Sequence, residues 1–394
     1  MTETIAPVPR RAWVMLALGV AAQAAGTLLV SAPAYLIPQL HSVGGMSLAQ
    51  AGLLAAAPTF GMVCTLVLWG LLADRRGERG VIAGGLALTG VFALACVFAQ
   101  GYATLGILLV LGGAASASTN AASGRVVIGW FPKHRRGLAM GIRQMSQPLG
   151  VAAAALVVPP LAESRGLTAP FAVAGLVALA LAALCAWGIR NPPRPAPGPA
   201  RDAAANPYRR DGFLLRIHLA SALLVVPQFA LSTFGLVWLI SGLGWEAVAA
   251  GAVVAGAQFV GAVGRIGVGH LSDRLGTRVG LLRGVAVAGV VAMALLALAG
   301  WVHADALAAA LYVVASTIAV ADNGLAYTSV AEAAGPSWSG RALGVQNTGQ
   351  FLAASAVAPA VGALIALVGY PAAFAIAGSA PLMAFVAIPR RDVG

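Results

Sequence analysis

The stretch "GLLADRRGERG" at residues 70–80 returns as "GHLSDRLGTRV" at residues 269–279. Gly70, Asp74, Arg75, Gly77 and Arg79 in the first copy match Gly269, Asp273, Arg274, Gly276 and Arg278 in the second. Each copy joins two long apolar runs, so what recurs is a place within a larger unit. A second pair supports this, since "GLAMGIRQMSQ" at 137–147 recurs as "GRALGVQNTGQ" at 340–350. Asn120 corresponds to Asn323 in the same way, and Gln23 falls near Gln228.

The composition identifies the medium in which this unit folds. Of the 394 residues, 60% are hydrophobic and 9% are charged, against about 25% charged in an ordinary soluble domain. This is the composition of a multi-pass membrane protein. One crossing needs about 20 apolar residues. The sequence supplies twelve such runs, at 13–37, 48–72, 80–99, 103–129, 138–160, 168–189, 214–240, 247–270, 280–300, 305–331, 341–367 and 371–389.

The net charge of +12 is not read as a nucleic-acid footprint, because the basic residues sit in short connections between the runs. Arg10, Arg11, Arg75, Arg76, Arg79, Lys133, Arg135 and Arg136 fall on one side if the spans alternate, as do the linker arginines, Arg274, Arg278, Arg390 and Arg391. Only Arg165 falls on the other side. By the positive-inside rule both termini are cytoplasmic. The eight tryptophans lie near span ends, as an interfacial belt requires. All but Lys133 of the 24 basic residues are arginine, which together with the Ala and Gly content points to a bacterial inner-membrane protein. Cys64, Cys96 and Cys185 lie in apolar runs without metal or redox spacing and read as small core residues. The scattered histidines make no metal set, and hydrolase and nucleotide-binding patterns are missing. No cofactor, metal, nucleic-acid partner or enzymatic activity is expected.

Residues 190–213 form a Pro-rich, charged linker including Arg190, Arg194, Arg201, Arg209 and Arg210. It separates an N-terminal bundle, 1–189, from a C-terminal bundle, 214–394. The expected fold is therefore all-α, with twelve transmembrane helices in two pseudo-symmetric six-helix bundles. Parallel repeats of this kind are a transporter architecture.

The doubled loop motif resembles the signature of the major facilitator superfamily, and "GRVVIGWFPKHRRGLAMG" at 124–141 resembles its turn between spans four and five. The resemblance covers the whole chain. It implies a monomeric secondary transporter with one central cavity, working by alternating access. It also implies that Asp74 caps the start of span eleven near Gly340 and Arg341, that Asp273 does the same for span five, and that the motif arginines hold the gate.

Polar residues within spans face the bundle interior or a cavity. Here they concentrate on spans one, four, five, seven, eight, ten and eleven, while the remaining peripheral spans are nearly bare. The candidate solute-binding residues are Gln23, Asn120, Arg143, Gln147, Gln228, Gln258, Arg265, Asn323, Tyr327, Gln346 and Gln350. Asp322 is the candidate proton-coupling residue, because its protonation would break an Arg–Asp pair. Arg125, nearer the end of span four, is expected to snorkel past Trp130. Two deep arginines against one aspartate favour an anionic solute, since guanidinium matches carboxylate geometry. The position of Arg265 before the second motif also resembles oxalate/formate and monocarboxylate carriers. The alternative is proton-coupled drug or amphiphile efflux. Against it, "LLVLGGAASAS" in span four lacks the arginine usual in such antiporters, and "QPLG" matches their span-five pattern only in part. A rival of another class is a non-transporting sensor or scaffold on the same fold.

Overall fold

The computed structural model describes residues 8–42, 46, 48–192 and 206–392. Linker residues 193–205, with Arg194 and Arg201, lie outside the described residues. The apolar runs are helical, as a chain in lipid must be to satisfy its own backbone, and no strand occurs among the described residues. The first half contains α1 (Arg10–Tyr35), α2 (Ile37–Ser42), α3 (Leu48–Arg76), α4 (Glu78–Val97), α5 (Tyr102–Trp130), α6 (Arg136–Arg143), α7 (Ser146–Arg165) and α8 (Ala169–Gly188). The second contains α9 (Phe213–Val237), α10 (Ala247–Leu275), α11 (Val279–Trp301), α12 (Asp305–Ala319), α13 (Asp322–Ala334), α14 (Ser339–Ala377) and α15 (Ala380–Ala387).

Eleven helical runs among the described residues are long and apolar enough to cross a membrane. The last, Ser339–Ala387, has 49 residues and would measure about 73 Å, over twice the ~30 Å hydrocarbon thickness. It does not run straight. Gly369 leaves the helix with φ 77° and ψ 170°, a conformation open to glycine, and the run becomes two crossings. The total is then twelve.

Two other spans are broken, one of them four residues before a proline, Pro148, that cannot bond the Gln144 carbonyl. Span five stops at Arg143 and restarts at Ser146, with ψ of −10° at Gln144 and −17° at Met145 in place of the helical value near −42°. Span ten stops at Ala319 and restarts at Asp322.

The chain forms two compact units. One comprises Met1–Lys133, Met145–Ala204 and Gly335–Val345; the other comprises His134–Gln144, Ala205–Ala334 and Gln346–Gly394. In the first unit α3 packs along α5, and α4 against α5 and α8. Lipid tails are as apolar as the helices, so close approach through small residues replaces hydrophobic drive. A Cβ on Gly61 would collide with the Val110 carbonyl, and one on Gly113 with the Pro58 carbonyl. In the second unit buried Trp238, Tyr312, Met293 and Phe374 form the core of α9, α11, α12 and α14. Cys96 and Cys185 are buried as expected, but Cys64 is exposed and is no core residue.

Each unit closes the start of its third span with the residue that follows its sixth. In the first, Asn191 Oδ1 accepts from Arg79 N at 2.9 Å. In the second, Asp392 Oδ1 accepts from Arg278 N at 3.0 Å and Val279 N at 2.9 Å, and Thr277 Oγ1 donates to its Oδ2 at 2.6 Å. A carboxylate at a helix N-terminus satisfies otherwise unbonded amides and complements the helix dipole. Asp392→Ala should therefore destabilise the protein by about 1–2 kcal/mol, and Asn191→Ala by less. Thermal unfolding of the purified variants checks this, and a Tm unchanged by Asp392→Ala would show the cap to be idle.

Candidate functional site

The two motif copies build matching anchors. In the first unit Asp74 accepts from Gly340 N at 2.8 Å, Arg341 N at 3.0 Å and Arg341 Nε at 2.9 Å, and pairs with Arg125 Nη1. In the second, Asp273 accepts from Gly137 N at 2.9 Å and Leu138 N at 2.8 Å and pairs with Arg278 Nη1 at 2.7 Å. Each carboxylate thus sits at the first amides of a helix from the other half of the sequence, where the dipole favours it. The motif glycines let the backbones meet. A Cβ on Gly70 would collide with the Gly340 carbonyl, and a Cβ on Gly269 with that of Gly137. Gly77 and Gly276 both take positive φ, 92° and 67°.

The arginines are used differently in the two copies. Arg278 is buried and reaches Asp273, Ser272 Oγ and, at 3.9 Å, Glu332, which Arg136 also approaches at 3.4 Å. Its counterpart Arg79 instead donates from Nε to the Ala186 carbonyl at 2.6 Å. Arg125 takes over its role, which corrects the snorkelling expectation. Arg125 is 6% exposed and bonds both Asp74 and, at 2.7 Å, Glu78. Glu78 lies 47 residues earlier in the chain, so no local pattern announces the pair. Arg75 and Arg274 are exposed.

The polar residues of the spans form two clusters. In the first unit Gln23 Nε2 donates to Asn120 Oδ1 at 2.9 Å, and Ser123 Oγ to Gln23 Oε1 at 3.0 Å. The duplication repeats the pair in the second unit with the donor reversed, since Asn323 Nδ2 donates to Gln228 Oε1 at 3.1 Å. There it belongs to a larger network. Gln350 Nε2 donates to Asn323 Oδ1 at 3.0 Å and Ser221 Oγ at 2.7 Å, and Tyr327 Oη meets Gln350 Oε1 at 2.8 Å and Asn347 Oδ1 at 2.5 Å.

Arg143, fully buried, lies over the Tyr327 ring at 5.3 Å and donates to Gln144 Oε1 at 2.7 Å. The break in span five adds a second arginine, because the Gln144 carbonyl at the break accepts from Arg265 Nη1 at 2.9 Å. Arg265 Nε, buried, has no acceptor. The break in span ten makes Asp322 the first residue of a half-helix, 1% exposed. Its charged neighbour is Arg265, not Arg143. The arginine whose attraction protonation of Asp322 would weaken is therefore Arg265. The amides of Asp322 and Asn323 lie near its carboxylate, yet neither oxygen completes a hydrogen bond.

Two candidates fall outside these clusters. Gln147 and Gln258 are exposed and make no hydrogen bond among the described residues. Gln147 follows Arg143 by four residues, and the break at Gln144–Met145 takes it out of helical phase with that arginine. Gln346 joins a contact that the sequence does not announce. Its Oε1 lies 2.5 Å from His218 Nδ1, while His218 Nε2 lies 3.0 Å from Tyr208 Oη and the two rings stack at 5.8 Å. Burial pushes the Tyr208 phenol up to about 12. Lone histidines in apolar runs carry no spacing signal, and Gln346 is 128 residues away.

A groove of about 350 Å³ lies among α3, α4 and α5, lined by residues such as Leu68, Leu88, Phe92 and Leu111. Its polar groups, Thr65 and Trp69, already donate to the Ala114 carbonyl at 2.8 Å and 2.7 Å. It offers a solute no charge. The buried polar cluster of the second unit is the candidate site.

A duplicated twelve-span helical fold with charged groups gathered at broken helices defines a membrane transporter of a small solute. The Major Facilitator Superfamily profile matches residues 14–359, and the chain belongs to that superfamily. It is 44% identical over 382 residues to the uncharacterized MFS-type transporter Rv2994 of Mycobacterium tuberculosis, covering 96% of this chain and 85% of the relative. A shorter match, 27% identical over 155 residues, covers 39% of this chain and 30% of "Probable anion transporter 3, chloroplastic" of Arabidopsis thaliana. The crystal structure of the MFS transporter FucP in the outward conformation superposes with a TM-score of 0.78 at 15% identity. That match covers 96% of this chain and 98% of FucP and is a likeness of fold.

Proposed function

We propose that this chain moves a small organic anion by alternating access across a bacterial inner membrane, with both termini cytoplasmic and Asp322 coupling a proton to transport. The observation that carries this reading is the gathering of two largely buried arginines, Arg143 and Arg265, with one buried carboxylate, Asp322. Together they carry one net positive charge. In a site shielded from water, charges interact far more strongly than in bulk solvent, and intramembrane charges are kept for function. Guanidinium is the side chain best suited to a carboxylate. The name of the Arabidopsis relative agrees with an anionic solute. Protonation of Asp322 would remove its attraction for Arg265, a change of charge that a transport cycle can use.

Uptake into proteoliposomes tests this with carboxylates, sugars and cationic dyes, with and without a pH gradient. Gradient-dependent carboxylate uptake is expected, and Asp322→Asn should abolish the gradient dependence. Dye transport without carboxylate transport would replace the anion reading with amphiphile efflux, and movement of no solute would favour a sensor. An Asp322→Asn variant with an unaltered pH dependence would remove Asp322 from the coupling step.

A further inference from the structure

We propose that the solute is a 2-hydroxycarboxylate, with its carboxylate held by Arg265 and its hydroxyl donating to Asp322; this rests on the organic-anion reading above. The second unit holds two charged groups that the protein leaves incomplete. Arg265 spends Nη1 on the Gln144 carbonyl and keeps Nε, buried, without an acceptor. Asp322, 1% exposed, completes no hydrogen bond at either oxygen, although the amides of Asp322 and Asn323 lie near them. Their helices, α10 and α13, pack on each other, and the two groups attract one another without forming an ion pair. Buried polar atoms are almost always bonded, and a charged one left unbonded is costly. Around them Asn323, Gln350 and Tyr327 bond one another or their neighbours. Among the described residues of this unit, the buried charged atoms left open are one guanidinium edge and one carboxylate.

The ligand chemistry follows from what each group lacks. Arg265 Nε needs an acceptor, and Asp322 needs a donor. A plain carboxylate supplies the first and brings a like charge towards the second. An amino acid supplies both, but as a zwitterion it leaves the positive charge of Arg143 and Arg265 over Asp322 uncompensated. A 2-hydroxycarboxylate supplies an acceptor and a donor on adjacent carbons and carries the single negative charge that balances the three residues. A carboxyl group has two oxygens, so a proton on one leaves the other to accept the hydroxyl. Sites that hydrogen-bond a substrate hydroxyl discriminate strongly against analogues that lack it, because the protein group is then left unpaired.

The test compares lactate, propionate and alanine as competitors for solute binding to the purified full-length protein. Lactate should bind on the order of tenfold to hundredfold more tightly than propionate and more tightly than alanine. Asp322→Leu should abolish the preference for lactate over propionate while still binding both, with folding checked by thermal melt. Equal binding of lactate and propionate by the unmodified protein overturns the hydroxyl assignment and leaves the anion reading standing. Tightest binding of alanine overturns it also, in favour of an ammonium group at Asp322. Retained preference in folded Asp322→Leu shows that another group reads the hydroxyl. If no carboxylate binds, the anion reading fails and this inference fails with it.

Discussion

Asp74→Ala should lower stability by about 3–5 kcal/mol, measured by reversible unfolding in mixed SDS and detergent micelles. The carboxylate is 2% exposed and is bonded by two helix amides and two arginines. Its loss leaves the Gly340 and Arg341 amides without their acceptor. It also leaves Arg125 with only Glu78 of its two carboxylates. The second copy supplies the control. Asp273 is bonded by two amides and one arginine, and Arg278 would keep Ser272 Oγ and Glu332 after its removal. Asp273→Ala should therefore destabilise by about 1–3 kcal/mol, closer to the cost of unpaired buried donors alone. Asp74→Asn, which keeps one acceptor oxygen, should fall between wild type and Asp74→Ala. Equal losses at Asp74 and Asp273 would show that the arginine partners contribute little and that the amide contacts dominate.

That difference between the copies marks the limit of what the sequence discloses. Gly70 and Gly269, or Asp74 and Asp273, are legible because duplication preserves residue type and spacing at positions where backbones touch. The spans are legible because lipid demands long apolar helices. Arg125 is not legible, because its partner Glu78 stands where the second copy has Thr277 and is brought to it only by the packing of α4 on α5. The break in span ten is hidden for a related reason, because neither Val320 nor Ala321 is the proline or glycine that ordinarily marks a helix end. The break in span five is marked only at a distance, by Pro148, which has no amide to bond the Gln144 carbonyl four residues earlier. Yet the break at Gln144 presents the carbonyl that Arg265 takes, and the break at Val320 starts a helix on Asp322. Residue type identified Arg143, Arg265 and Asp322 as a set, but their pairing depends on these breaks. The sequence leaves open which arginine accompanies Asp322, whereas the structure sets Arg265 near Asp322 and Arg143 over Tyr327.

Arg143→Gln should reduce carboxylate uptake by roughly tenfold to hundredfold, the range expected for a lost charge-assisted hydrogen bond of about 1.5–3 kcal/mol. It should lower stability by no more than about 2 kcal/mol. The corresponding position in the second copy holds Gln346, 1% exposed, so a buried amide is accommodated at the equivalent place in the repeat. Glutamine also keeps a donor for Gln144 Oε1, which Arg143 now bonds at 2.7 Å. What it removes is the positive charge and the stacking on Tyr327, worth about 1–2 kcal/mol when desolvated. Arg143→Lys separates these two losses. It keeps the charge without the planar fork, so partial uptake is expected if charge attracts the solute, and none if bidentate geometry holds it. Uptake by proteoliposomes, with thermal melts of the same preparations, reads both quantities. Loss of folding in Arg143→Gln would assign the arginine to helix packing, because the amide tolerated at Gln346 would then have failed for structural reasons. Full uptake by a folded Arg143→Gln would leave Arg265 as the solute's cation, and the net positive charge on which the anion reading rests would fall to zero without effect.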